Sequence, residues 1–329
     1  MSEQAMQGFD PRWESPEAYI LGVTQQIWED RGIATLKRYY ADDIVVRSPA
    51  SVVVGNAGVI GATMATLAEF PDRQLLGEDV IWCTADGGGF LSSHRLISTA
   101  THRYAGAYGR ASAARLRYRI LADCHAVNNQ IDDEWLVRDQ GAIAHQLGVT
   151  ARDHAAKLIH DEGGPEVCVK PFTPANDVAG PYHGTGNDNE WGQRLASILT
   201  RIAGADFTVI PAEYDRGASL HYPSGLDTEG HDGADQFWMG LHASFPGAVF
   251  RVGHVIGRSD PMMPPRASLR WSLDGVHSGW GRFGQPTGAS VHVMGITHAD
   301  FGPRGLRREF TLFDETAIWK QILLQTGEK

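Results

Sequence analysis

Residues 64–81, MATLAEFPDRQLLGEDVI, return in altered form at residues 239–256, MGLHASFPGAVFRVGHVI. Sliding the chain by 175 positions superimposes Met64 on Met239, Phe70-Pro71 on Phe245-Pro246 and Val80-Ile81 on Val255-Ile256. The offset carries outward in both directions. Upstream, Tyr39 falls on Tyr214 and Gly55 on Gly230. Downstream, Ser93 falls on Ser268, Arg95 on Arg270, His102 on His277, Gly106 on Gly281, Gly109 on Gly284, Glu134 on Glu309, Asp139 on Asp314 and Gln146 on Gln321. One spacing held over so long a stretch, turn glycines included, marks a tandem duplication, and a repeat fixes the architecture before any motif does. The chain divides into a first copy at 12–160, a connecting segment at 161–189 and a second copy at 190–329.

The connecting segment contains Gly163-Gly-Pro165, Pro171-Phe-Thr-Pro174 and Gly180-Pro-Tyr-His-Gly-Thr-Gly186 and has no sustained period, so it reads as a linker over the surface, with His183 a solvated loop residue. Inside the first copy, helical spacing of Ile20, Val23, Ile27, Ile33 and Leu36 predicts two helices between Ser15 and Tyr40, broken near Gly32. A short strand follows at Ile44–Val46, then a helix at Gly58–Leu67 that stops before Phe70-Pro71. Period-two segments then run over Leu75–Trp82, Phe90–His102, Ala114–Val127 and Ile131–Arg138. Helices first and a meander afterwards give an α+β fold, with N-terminal helices packed on one face of a curved, mainly antiparallel sheet.

Composition narrows the partners. With 29 Lys and Arg against 39 Asp and Glu the formal charge is −10, and no basic stripe exists to neutralise phosphates, so nucleic acid and anionic membrane surfaces are excluded. No run of 18 apolar residues and no basic-then-apolar leader is present. Three cysteines without a CxxC pair, Cys83, Cys124 and Cys168, suit reduced thiols. A cytoplasmic protein with a small-molecule partner is expected.

The run Tyr39-Tyr-Ala-Asp-Asp-Ile-Val-Val46, the Phe70-Pro-Asp72 element and the closing Ile131-Asp-Asp-Glu-Trp135, Asp139 and Gln146-Leu-Gly148 resemble the SnoaL-like polyketide cyclases of the nuclear-transport-factor-2-like superfamily. In the second copy His277-Ser-Gly279, Phe283-Gly284 and Pro286-Thr-Gly288 resemble the same family's hairpin signature. The resemblance implies two cone-shaped α+β barrels, each with an internal pocket, packed through their sheets as an intrachain pseudo-dimer; a further homo-oligomer stays open. It also implies an acid–base reaction carried by a pocket carboxylate or histidine, with no metal and no other cofactor.

That chemistry needs a group of matched pKa near a carbon acid, and a place for enolate charge. On the strand Arg119-Ile-Leu-Ala-Asp123-Cys-His125, alternation puts Leu121, Asp123 and His125 on one face and Ile120, Ala122, Cys124 and Ala126 on the other. The second copy answers with His298-Ala-Asp300. Asp123, His125, His298 and Asp300 are therefore the expected acid–base groups, with His102 and His277 placed to lean into the same space. Arg95 and Arg270 are candidates to hold a substrate oxyanion, or else form structural ion pairs. Trp135 and Phe310 are candidate pocket walls or plain core. The alternative is that the polar face meets solvent or the other copy. The opposite face of the second copy, Val291, Val293, Gly295, Thr297, Ala299 and Phe301, is the more apolar and then borders the core.

Other motifs carry little. Gly279-Trp-Gly-Arg-Phe-Gly284 has the GxGxxG form but no helix after it, Gly87-Gly-Gly89 fits a hairpin, and HExxH and GxSxG are missing from the sequence. The 14 histidines show no ligand spacing, so no metal is expected. Two classes of function follow: a metal-independent cyclase, isomerase or lyase acting on a small carbonyl compound, or a non-catalytic small-molecule-binding or accessory protein of the same fold.

Overall fold

The computed structural model describes residues 2–327. Each copy folds into one six-stranded sheet. In the first, β1 (Tyr40–Ser48), β2 (Ser51–Val54), β3 (Gln74–Thr84), β4 (Phe90–Thr101), β5 (Arg115–Val127) and β6 (Gln130–Arg138) lie in the order β2-β1-β6-β5-β4-β3. In the second, β7 (Tyr214–Tyr222), β8 (Leu226–Glu229), β9 (Val249–Arg258), β10 (Arg266–Val276), β11 (Ser290–Gly302) and β12 (Gly305–Leu312) repeat that order as β8-β7-β12-β11-β10-β9. All pairings are antiparallel except β1 with β6 and β7 with β12. This is the expected α+β class with a correction: the sheets are open rather than closed barrels. The edge strands β2 and β8 have only four residues each, and the chain leaves both directly into helices, Asn56–Glu69 and Gly230–Ser244.

Register refines the duplication. His94 pairs with Ala122 and Leu269 with Thr297, an offset of 175, but Tyr40 pairs with Ile131 where Tyr214 pairs with Leu306. Tyr214 is therefore the counterpart of Tyr40, not Tyr39, and the first strand carries a one-residue slip. The first strand and β3 run longer than their apolar cores predict, β4, β5 and β6 lie within one residue of the expected bounds, and helices Gln140–Gln146 and Ala151–Asp161, which periodicity did not reveal, follow the first sheet.

Alternation gives each sheet two buried faces. Residues such as Val80, Ala122 and Cys124 pack against the N-terminal helix through Tyr19, Ile20 and Val23. The opposite face of each sheet meets the other copy: Leu121 and Val137 lie with Met294, Ile296 and Leu312, and Ile81, Cys83 and Leu91 lie with Ile256. The linker is drawn into this contact rather than only crossing the surface. Phe172 and Cys168 are buried, Phe172 N donates to Pro49 O at 3.0 Å, and Tyr182 OH bonds His254 Nε2 at 2.7 Å. At Gly186, with φ +110°, a Cβ would sit 1.6 Å from Val255 O, so only glycine lets the linker pair with the edge of β9. His183 is exposed.

Arg270 Nη1 lies 3.0 Å from Asp123 Oδ2, and both side chains are enclosed between the sheets. Arg270→Met would strand a buried carboxylate, a loss of about 3–5 kcal/mol. Chemical denaturation should show that loss for Arg270→Met, and recovery of most of it in the double variant Asp123→Leu/Arg270→Met. A double variant no more stable than the single one would contradict the pairing.

Candidate functional site

None of the expected acid–base groups borders the enclosed cavity; each is held by a neighbouring side chain. Asp123 pairs with Arg270, while Ser93 Oγ, beside Asp123, bonds His298 Nε2 at 2.8 Å. Burial holds His298 well below its ordinary pKa and raises Asp123 against the opposing pull of Arg270. His125 Nδ1 lies 2.5 Å from Asp132 Oδ1 with its ring against Tyr182, and Asp300 pairs with Arg308 at 2.7 Å beside a shallow surface depression. Arg95 covers the Phe310 ring at 3.6 Å and Arg270 covers Trp135 at 3.6 Å, so both arginine–aromatic pairs cross between the copies. His102 and His277 clasp loops. His102 bridges Ser112 and Glu69, whose carboxylate accepts from Ala107 N and Tyr108 N, and His277 holds Thr287. The polar face is thus the face between copies, the alternative left open by the sequence.

The other face of the first sheet borders a cavity of about 280 Å³. Its floor is Ile120, Ala122, Cys124 and Leu136; its roof comes from Ile20, Val23, Trp28, Thr63 and Thr66 on the helices, and Ser48–Ser51 close one side. His94, Glu134 and Arg138 border the cavity from the sheet. Register places Cys124 beside Glu134, Ala122 between His94 and Leu136, and Ile120 between Leu96 and Arg138. From strand spacing and rise, His94 therefore lies about 12 Å from both Glu134 and Arg138, Cα to Cα, and Glu134 about 13 Å from Arg138. Ala122, the smallest floor residue, lies near the middle of this triangle.

Burial pushes the Glu134 carboxyl up to about 7, against the hydrogen bond from Tyr40 that lowers it. Burial also pulls His94 down to about 4, so its imidazole is neutral at pH 7. Its Nδ1 is enclosed without a partner. At one end, Arg73 Nε donates to Tyr118 OH at 3.1 Å, and Arg138 Nε is enclosed with no partner. Gln140 Nε2 donates to Asp314 Oδ2 at 2.6 Å, so the second copy supplies part of the wall.

The second copy fills the corresponding space. Trp271 stands where the first copy has Leu96, Trp238 where it has Thr63, Phe313 where it has Arg138 and, with the slip in the first strand, Tyr222 where it has Ser48. Tyr222 stacks on Phe237 at 3.6 Å, and Trp271 lies within ring contact of Trp238, Phe250 and Phe313. A Cβ on Gly295 would meet the Trp271 indole at 2.2 Å; the first copy has Ile120 there. Glu309, the counterpart of Glu134, is bonded by Tyr214, Tyr222 and Thr311. One glutamate is locked into a solid core while its twin borders a hollow.

Sequence reasoning paired Glu134 with Glu309 but did not single out Glu134, His94 or Arg138. The available signal was the run of positions where a small or polar residue in one copy faces a large aromatic in the other.

No protein-family model matches the chain, and no curated protein matches it in sequence. Solved structures match about one copy's length. IdmH from Streptomyces antibioticus, a candidate polyketide cyclase, is similar over 41% of this chain and 99% of its own, at 22% identity and a TM-score of 0.36. AclR from Streptomyces galilaeus, a candidate hydroxylase, is similar over 40% of this chain and 94% of its own, at 20% identity and a TM-score of 0.36. A SnoaL-like polyketide cyclase from Agrobacterium tumefaciens is similar over 40% of this chain and 97% of its own, at 16% identity and a TM-score of 0.33. Among the described residues no helix is long and apolar enough to cross a membrane.

The raised Glu134 pKa has a signed consequence. Below the ordinary value of 4.5 the carboxyl is protonated in both folded and unfolded chains. As pH rises from there to about 7 only the unfolded chain ionises, so folding stability falls, and it levels off above that. Denaturation of wild type and Glu134→Gln across pH 4–8 should show the variant gaining relative stability through this window and then holding it. A constant difference would mean that Glu134 is not held in its neutral form.

Proposed function

We propose that the first copy is the working unit, and that its cavity takes a small carbonyl compound and moves a proton on it with Glu134 as acid and base. The observation that carries this reading is the contrast between Glu134, beside a hollow with a pKa near working pH, and Glu309, tied down by three hydroxyl groups. A general acid–base group works best when its pKa lies close to the ambient pH. His94 complements it. A neutral imidazole donates a hydrogen bond to a carbonyl oxygen without losing its proton, stabilising the enolate as Glu134 takes the α-proton. Returning the proton elsewhere gives isomerisation, and attack of the enolate on a second carbonyl of the same molecule gives ring closure. Apolar walls from Ile20, Val23, Trp28 and Leu75 suit a ring-forming or aromatic substrate and keep water from the enolate.

The second copy then works as a scaffold. It covers the outer face of the first sheet and lends Asp314 to the cavity wall.

Deuterium exchange α to the carbonyl, followed by NMR across a panel of aryl 1,3-diketones and β-keto esters, tests the assignment. Wild type should accelerate exchange of at least one compound, and Glu134→Gln should lose a hundredfold or more. Asp123→Asn, with its site between the sheets, should stay within tenfold. Exchange unaffected by Glu134→Gln, with the probe still bound, would instead favour a non-catalytic binding protein.

A further inference from the structure

The mechanism above uses Glu134 and His94 and leaves two cations unexplained. Arg138 borders the cavity, makes no ion pair or hydrogen bond among the described residues, and has its Nε enclosed with no partner. Arg73 is buried beside the same end and meets only neutral hydroxyls, Tyr118 at 3.1 Å and Ser98 at 3.4 Å. Buried guanidinium groups are ordinarily matched by carboxylates. The one carboxyl of the cavity wall at this end, Asp314, accepts from Gln140 Nε2 and Thr316 N instead. Tyr118 records the local field. Burial raises its phenol, yet the nearby Arg73 and Arg138, together with hydrogen bonds to Ser98 and Arg73, hold it below its ordinary pKa.

The fold does not need these cations. At the matching positions the second copy has Phe313 and Ala248, and its sheet has the same order and register. The arginines therefore belong to the hollow copy alone.

We infer that the ligand of the first cavity is a carboxylic acid whose carboxylate docks against Arg138, with Arg73 behind it, while its carbonyl end lies between Glu134 and His94. This rests on the reading of that cavity as the ligand site. Arg138 and Glu134 project from the same strand face four residues apart, about 13 Å between Cα atoms, and their side chains reach inward. The remaining span suits a molecule with its acid and its reacting carbon separated by a ring. A monoanionic carboxylate matches a guanidinium fork; a phosphate dianion calls for more donors than this apolar enclosure supplies.

Titration of the full chain with 2-naphthoate and with its neutral isostere 2-naphthamide, read by calorimetry, tests the inference without any variant. The acid should bind at least tenfold more tightly. Arg138→Met should bring the two within threefold of each other, and Arg138→Lys should restore part of the preference. Thr63→Trp, which installs the residue that fills the second copy, should abolish binding of both. Equal affinities in wild type, or no binding of the acid, overturn the carboxylate inference; if Thr63→Trp still removes amide binding, the cavity reading survives it. Unchanged binding in Thr63→Trp overturns the cavity reading and the inference with it.

Discussion

Between the two sheets, Arg95 of the first copy lies on Phe310 of the second, and Arg270 of the second lies on Trp135 of the first. This reciprocal contact sets the rest of the structure. A strand has only two faces. Once one face of each sheet is committed to its twin, with Asp123, Ser93 and His298 buried in the contact, only the face beneath the helices remains free to enclose a ligand. The polar layer is costly to bury unless every charge finds a partner, which is why arginine, carboxylate and aromatic ring recur there in matched sets.

The two helix-covered faces have then diverged. Substituting Trp, Phe and Tyr for Leu96, Thr63, Arg138 and Ser48 converts a hollow into a packed core on an otherwise unchanged sheet. A solid second copy packs aromatic side chains where the first has a hollow, and so braces the pair. The first copy keeps an enclosed volume, partnerless imidazole and guanidinium nitrogens and a carboxyl of raised pKa. Each is a burden on stability, and in the first copy they converge on one enclosed space, which is what the proposed function draws on.

Much of the fold was legible. The repeat, the succession of helices and strands along the chain and the α+β class followed from the Phe-Pro pair, the turn glycines and period-two segments, whereas the short edge strands and the parallel pairing of β1 with β6 did not. Which sheet face borders the cavity was not, because both faces are buried and a buried polar contact between copies has the same alternation as a polar pocket wall. Asp123 and His125 were drawn from that contact. His102 and His277 had the aligned positions expected of chemistry, but their pairing with Ser112, Glu69 and Thr287 serves loop closure. Glu134 was visible as a repeated acid, yet its role depends on the size of residues far away in sequence, such as Thr63 and Leu96, and only packing brings these together.

The central claim is that the first copy is hollow and the second filled, and tryptophan reports on both. Trp28 borders the cavity, whereas Trp238 and Trp271 stand in the core that replaces it. Fluorine NMR of 5-fluorotryptophan-labelled protein, titrated with the neutral aromatic probe 2-naphthol, should shift the Trp28 resonance and leave those of Trp238 and Trp271 in place. Movement of the Trp238 or Trp271 signals with Trp28 unaffected would contradict the account.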